Sequence, residues 1–112
     1  MAVTVNILIP AKIAENSQTT QYTVPAGITT IIDKFTATNF SGSTATISVN
    51  LVSPADTAGN QNLIVKTKSL AAGETYTFPE IVGQALSTAG FISTVASAAN
   101  SINIRSNGRQ IT

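Results

Sequence analysis

Residues 45–52 read ATISVNLV, in which Ala45, Ile47, Val49 and Leu51 alternate with Thr46, Ser48, Asn50 and Val52. A period of two places the first set on one face of a strand, so this segment predicts a half-buried β-strand with those four side chains toward a core. Just upstream, Ile28–Phe40 (ITTIIDKFTATNF) is rich in β-branched and aromatic residues and ends at Ser41-Gly42-Ser43. Two strands joined by a three-residue turn containing glycine predict an antiparallel hairpin. The upstream strand has no cleanly apolar face. A bulge or kink near Asp33 would let Ile31 or Ile32 join Phe35 and Ala37 on the buried side.

The same punctuation continues in both directions. Val3, Val5, Ile7 and Ile9 alternate with Thr4, Asn6 and Leu8 and predict a first strand that stops at Pro10. Residues 1–10 therefore read as an arm or an edge strand, and not as a leader with a basic start and an apolar core. Thr19–Val24 predicts a second strand, closed by Pro25-Ala26-Gly27. Ser53–Gln61 is the longest loop, Asn62–Leu70 returns as a strand, and Ala71-Ala72-Gly73 turns into a short strand over Glu74–Phe78. Pro79–Leu86 breaks the alternation. Proline fits a first helical turn and Ile81, Val82, Ala85 and Leu86 share one side, which predicts a short helix near 79–86. Phe91–Ala96 and Ser101–Ser106 give two further strands, and Asn107-Gly108 reads as a turn.

Eight short strands with turn chemistry between them point to an all-β chain forming one antiparallel β-sandwich over residues 1–112. Eight strands favour a jelly roll, with a seven-stranded immunoglobulin-like sandwich as the competing topology.

Composition narrows function mainly by exclusion. The 112 residues contain no Cys and no His, which removes disulfides, thiolate nucleophiles, imidazole bases and the commonest metal ligands. Glu15, Asp33, Asp56, Glu74 and Glu80 are isolated in sequence, so no catalytic, cofactor-binding or metal-binding set is assigned, and an enzyme would require two of these carboxylates to converge. Asp56 in SPADTAGN lacks the companions of a calcium loop and reads as a turn residue. A net charge of +1 is not the footprint of a nucleic-acid binder, and no apolar run approaches the length of a membrane-spanning helix. Charged residues make up only 10% of the chain, so the exposed strand faces are built from Thr, Ser, Asn and Gln. Such faces are desolvated at little cost when another protein covers them. Val3, Val5, Ile7 and Ile9 on the first strand, with Lys66 and Lys68 on one face of the fifth, are the candidate protein-interface residues. A lysine on an exposed strand also serves simply to discourage edge pairing.

Three segments occur in a distinctive order: Tyr22-Thr23-Val24-Pro25-Ala26-Gly27 before a long strand, Asn39-Phe40-Ser41-Gly42-Ser43-Thr44-Ala45 leading into Thr46–Leu51, and Leu70-Ala71-Ala72-Gly73-Glu74-Thr75-Tyr76. A short segment at Ile81–Leu86 and a strand pair across Phe91–Ile104 follow. This order resembles the small β-sandwich virion proteins of tailed bacteriophages, with Gly90-Phe91 standing where that family often has Gly-Asp. The resemblance implies a jelly-roll-like structural protein at the capsid surface of a phage particle. Its role would be capsid decoration or cement, its partner the major capsid protein or another virion protein, and its own state a homo-oligomer such as a dimer or trimer. A tail, neck or baseplate component is the alternative. A carbohydrate- or receptor-binding module is a further one, and would need Tyr22 and Tyr76 exposed together at one end of the sandwich.

Overall fold

The computed structural model describes all 112 residues. In chain order the strands are β1 (Val3–Ile13), β2 (Thr19–Thr23), β3 (Thr29–Asn39), β4 (Ala45–Val52), β5 (Leu63–Leu70), β6 (Thr75–Thr77), β7 (Ala85–Leu86), β8 (Phe91–Ala96) and β9 (Ile102–Ile111). They form two antiparallel sheets. Sheet I has the order β1-β9-β3-β6, with β7 pairing the start of β3, and sheet II has the order β2-β8-β4-β5. Except between β4 and β5, each connection among the longer strands crosses from one sheet to the other. The pairings are nested, β1 with β9, β2 with β8, β3 with β6 and β4 with β5.

The core lies between the sheets and contains Ile32, Phe35 and Ala37 from β3 and Ala45, Ile47 and Val49 from β4. Phe35 and Phe78 meet edge to face with ring centres 5.2 Å apart, the favoured aromatic geometry. The irregularity expected near Asp33 is present. The β3–β9 register slips between Ile32 and Lys34, so Ile32, Phe35 and Ala37 all point inward despite their odd spacing.

Four local expectations are corrected. First, β3 and β4 are not a hairpin but belong to opposite sheets. Buried Asn39 explains the crossing: its Nδ2 donates to the carbonyls of Ser43 at 2.8 Å and Leu70 at 2.9 Å, while its Oδ1 accepts from the Ser41 amide. These bonds hold the 41–43 turn against the end of β5 in the other sheet. Second, residues 79–84 form turns and 85–86 form β7, not a helix. Gly83 takes a left-handed φ of 89° that no helix continues through, and its amide donates to the Ile32 carbonyl at 2.7 Å. Third, β1 runs through Pro10 to Ile13, which an edge strand permits because the missing N–H has no partner strand to serve. Fourth, Asn107-Gly108 lies inside β9. A Cβ at Gly108 would sit 2.1 Å from the Ile31 carbonyl oxygen, so this glycine marks close backbone approach opposite the β3 irregularity.

Candidate protein-interface surface

Sheet I presents one side of β1, β9 and β3 to solvent. Val3, Val5 and Ile7 are 54%, 77% and 49% exposed on that side of β1. The register sets Val3 beside Ile111, Val5 beside Arg109 and Ile7 beside Asn107, and it sets Arg109 beside Ile31. Half-buried Ile31 and Ile111 thus extend the valine and isoleucine row across three strands. The charges nearest this apolar end neutralise each other: Arg109 Nε and Nη2 both donate to Asp33, with Nη2 to Oδ1 at 3.0 Å. That carboxylate raises the Arg109 pKa above its already high ordinary value, so the cation is permanent. Exposed Lys34 stands opposite Asn107 on the rung of Ile7, and Arg105 lies farther along β9.

Only part of the interface set expected from sequence comes together here. Ile9 is 1% exposed and belongs to the core, because the β1–β9 register shifts between Ile7 and Ile9 and turns both Leu8 and Ile9 inward. The adjacent Leu8-Ile9 pair, two large apolar residues where strict alternation allows one, was the sequence signal for that shift. Ile31 and Ile111 escaped the sequence reading because each needed the register of β9 to place it beside β1.

The lysines of β5 are separated as well. Opposite Ser48 the β5 register slips, pairing Ile47 with Lys68 but Val49 with Val65. Lys66 and Thr67 therefore occupy the space of one residue, and Lys66 and Lys68 no longer share a face. Lys68 folds over the Tyr76 ring with Nζ 4.4 Å from its centre, spanning from β5 of sheet II to β6 of sheet I. Tyr76 in turn donates its hydroxyl to Glu80 at 3.0 Å, which raises the tyrosine pKa. Thr67 adopts a φ of 44°, unusual for a β-branched residue, and its amide donates to Ser48 Oγ at 2.8 Å.

Lys66 instead borders a groove of about 210 Å³ on the outer side of sheet II. The 53–62 loop folds over this side and is fixed by Asn50, which is buried and donates to the Gly59 carbonyl at 3.0 Å and to Asn62 Oδ1 at 2.8 Å. Gln18 Nε2 closes the other wall by donating to Ser93 Oγ at 2.7 Å. Asp56 stabilises the loop from within. Its carboxylate accepts from the Thr57 amide, Gln61 and Asn62, which together hold its pKa below the usual range.

The remaining acidic residues also have local partners. Glu15 accepts from Gln21 Nε2 and Lys12 Nζ, each at 2.9 Å, and these two bonds lower its pKa. Glu74 caps the Ala71 amide at 2.8 Å. Tyr22 is half-buried, and its hydroxyl links Thr30 Oγ1 at 2.7 Å with Gln110 Nε2 at 2.8 Å. Both tyrosines are thus engaged in contacts within the fold, on different strands and in different sheets, and do not form a shared aromatic platform. Comparison with protein-family models, characterised proteins and solved structures found no match.

Proposed function

We propose that this chain is a structural virion protein, a capsid cement or decoration protein that binds the shell of a phage particle. The observation that carries this reading is the outer face of sheet I, where Val3, Val5, Ile7, Ile31 and Ile111 form an apolar row whose adjacent charges, Arg109 and Asp33, are already paired. A shell surface covers the Val3–Ile111 end of this face without desolvating an unpaired charge, with Lys34 on the Ile7 rung left at the rim. The strand arrangement supports the same reading. With two-residue β7 set aside, the nested pairs and the orders β1-β9-β3-β6 and β2-β8-β4-β5 fit an eight-stranded jelly roll, an architecture used by viral capsid domains. An immunoglobulin-like sandwich, by contrast, splits its strands into unequal sheets of the ABED and CFG kind.

Binding contributes to shell stability by mass action, since expansion or disassembly must first strip the bound protein away. Mass spectrometry of density-purified particles tests the assignment: the account expects the chain at a stoichiometry approaching that of the shell protein. Recovery only from the soluble fraction overturns it, and a few copies per particle move it to the tail, neck or baseplate.

A receptor- or carbohydrate-binding role draws support from the Lys66 groove, but at about 210 Å³ this is smaller than the roughly 300–1,000 Å³ of most ligand pockets. Its walls combine amides and hydroxyls with one cation and the apolar side chains of Ala58, Leu63 and Val95. A glycan array showing a saturable signal that Lys66→Ala abolishes would favour that role over cement.

A further inference from the structure

We propose that β1 is a homodimerisation edge, at which two copies pair their β1 strands antiparallel about a two-fold axis at Val5. The inference does not require the virion reading. Thr112 N donates to Ala2 O at 3.0 Å, which makes Ala2 and Thr112 a hydrogen-bonded pair at the start of the β1–β9 ladder. Such pairs alternate with non-hydrogen-bonded ones along an antiparallel ladder. Thr4 and Asn6 therefore direct their amides and carbonyls to β9, whereas Val3, Val5 and Ile7 direct theirs to the open edge. Asn6 Oδ1 confirms the direction by accepting from the Ile7 amide at 2.9 Å, a group that β9 does not use. The N–H groups of Val3 and Val5 and the carbonyls of Val3, Val5 and Ile7 remain for a partner.

These groups are self-complementary about Val5. With Val5 opposite its own copy, the two valines exchange a reciprocal pair of N–H to carbonyl bonds. Val3 N–H then reaches the carbonyl of Ile7 in the second copy, and the symmetric bond forms on the other side of the axis. The Ile7 amide, which this register would leave to Val3 O, already has Asn6. On the outer face Val5 meets Val5 and Val3 meets Ile7, pairs of β-branched side chains of the kind that stabilise antiparallel strands.

Charge and length select the same partner. No charged side chain occurs from Ala2 to Ala11, so two copies meet no like charge along the edge, and Arg109 behind it is neutralised by Asp33. Proteins ordinarily block exposed edges with lysines, bulges or prolines. Here the register shift at Leu8 and the proline at position 10 come only after Ile7, so the regular edge is Val3–Ile7, whose midpoint is Val5. The result is an isologous contact that closes on itself and continues sheet I from one copy into the next.

Sedimentation velocity over a concentration series tests this directly. The expected species has twice the 11.5 kDa chain mass, and Val5→Lys, which sets two like charges on the axis, raises the dissociation constant ~10-fold or more. Val5 is 77% exposed, so the variant keeps its fold, and an unchanged circular dichroism spectrum and melting temperature check this. Because the chain contains no cysteine, Val5→Cys alone gives an oxidised covalent dimer. Val3→Cys and Ile7→Cys singly do not, while the two combined do. A monomer at every concentration, a mass of three copies, a dimer indifferent to Val5→Lys, or equal cross-linking from position 3 alone overturns the proposal. Absence of the chain from particles would overturn the cement reading and leave the dimer standing.

Discussion

Replacing Gly108 with alanine should lower the melting temperature by about 8 °C, through a contact that the rest of the fold cannot relieve. The added Cβ would lie 2.1 Å from the Ile31 carbonyl oxygen and 3.1 Å from Leu8 Cδ1. Gly108 sits in β9 between Asn6 of β1 and Ile32 of β3, so separating the clash means displacing a strand that is paired on both sides. Overpacking a rigid interior costs ~1–3 kcal/mol, and a backbone obstacle puts this case at the upper end. Alanine returns ~0.5–1 kcal/mol by its lower chain entropy in the unfolded state. The net loss is about 2 kcal/mol, and for a domain of this size each kcal/mol moves the midpoint by about 4 °C. Differential scanning calorimetry of the purified variant measures it, with Gly42→Ala as the control because nothing lies within 4 Å of a Cβ there. A Gly108→Ala midpoint equal to or above the parent would refute the close approach of β3 and β9.

Other substitutions separate the contributions further. Asn39→Ala should destabilise by about 2 kcal/mol in urea titration, because it removes the buried side-chain bond to the Leu70 carbonyl and the brace that Asn39 Oδ1 gives the Ser41 amide. Phe78→Ala should cost ~3–5 kcal/mol by the same measurement, since it empties the site between Phe35 and Tyr76. Arg109→Ala, which breaks a largely solvent-screened pair with Asp33, should change stability by under ~1 kcal/mol. Glu15 and Asp56 both have folded-state pKa values below their ordinary ones. Their contribution is therefore present above the unfolded pKa and lost as pH falls through the folded pKa. Melting temperature should decline as pH is lowered from about 5 toward about 3, and less steeply in a Glu15→Gln, Asp56→Asn double variant.

Alternation in the sequence located the longer strands well, because a half-buried strand leaves a period of two wherever one face is dry. Ala45, Ile47 and Val49 could be assigned to the core on that ground alone, and the conflict between Ile31-Ile32 and Phe35 pointed to a bulge or kink near Asp33. Alternation reports which side of a strand is buried, however, and not which sheet the strand joins. Ser41-Gly42-Ser43 is as compatible with a crossing as with a hairpin, and the choice is made by Asn39 reaching Leu70, a residue 31 positions away. The 79–86 segment misled for a similar reason: its apolar spacing fits a helix, while Gly83 and the exposed groups of β3 offer turns and ladder bonds instead. Bulges account for the rest. At Leu8 one moved Ile9 from the surface to the core, and at Lys66-Thr67 another put two lysines of one strand on different faces, so the candidate interface set shrank to Val3, Val5 and Ile7 while gaining Ile31 and Ile111.

The most direct test of the structural-virion reading is cryo-electron microscopy of the particle that carries this chain, at a resolution that traces sheet I. Many copies at icosahedral contacts are expected, with Val3, Ile31 and Ile111 facing the shell. A particle whose shell lacks the chain, or a chain attached with that face open to solvent, would contradict it.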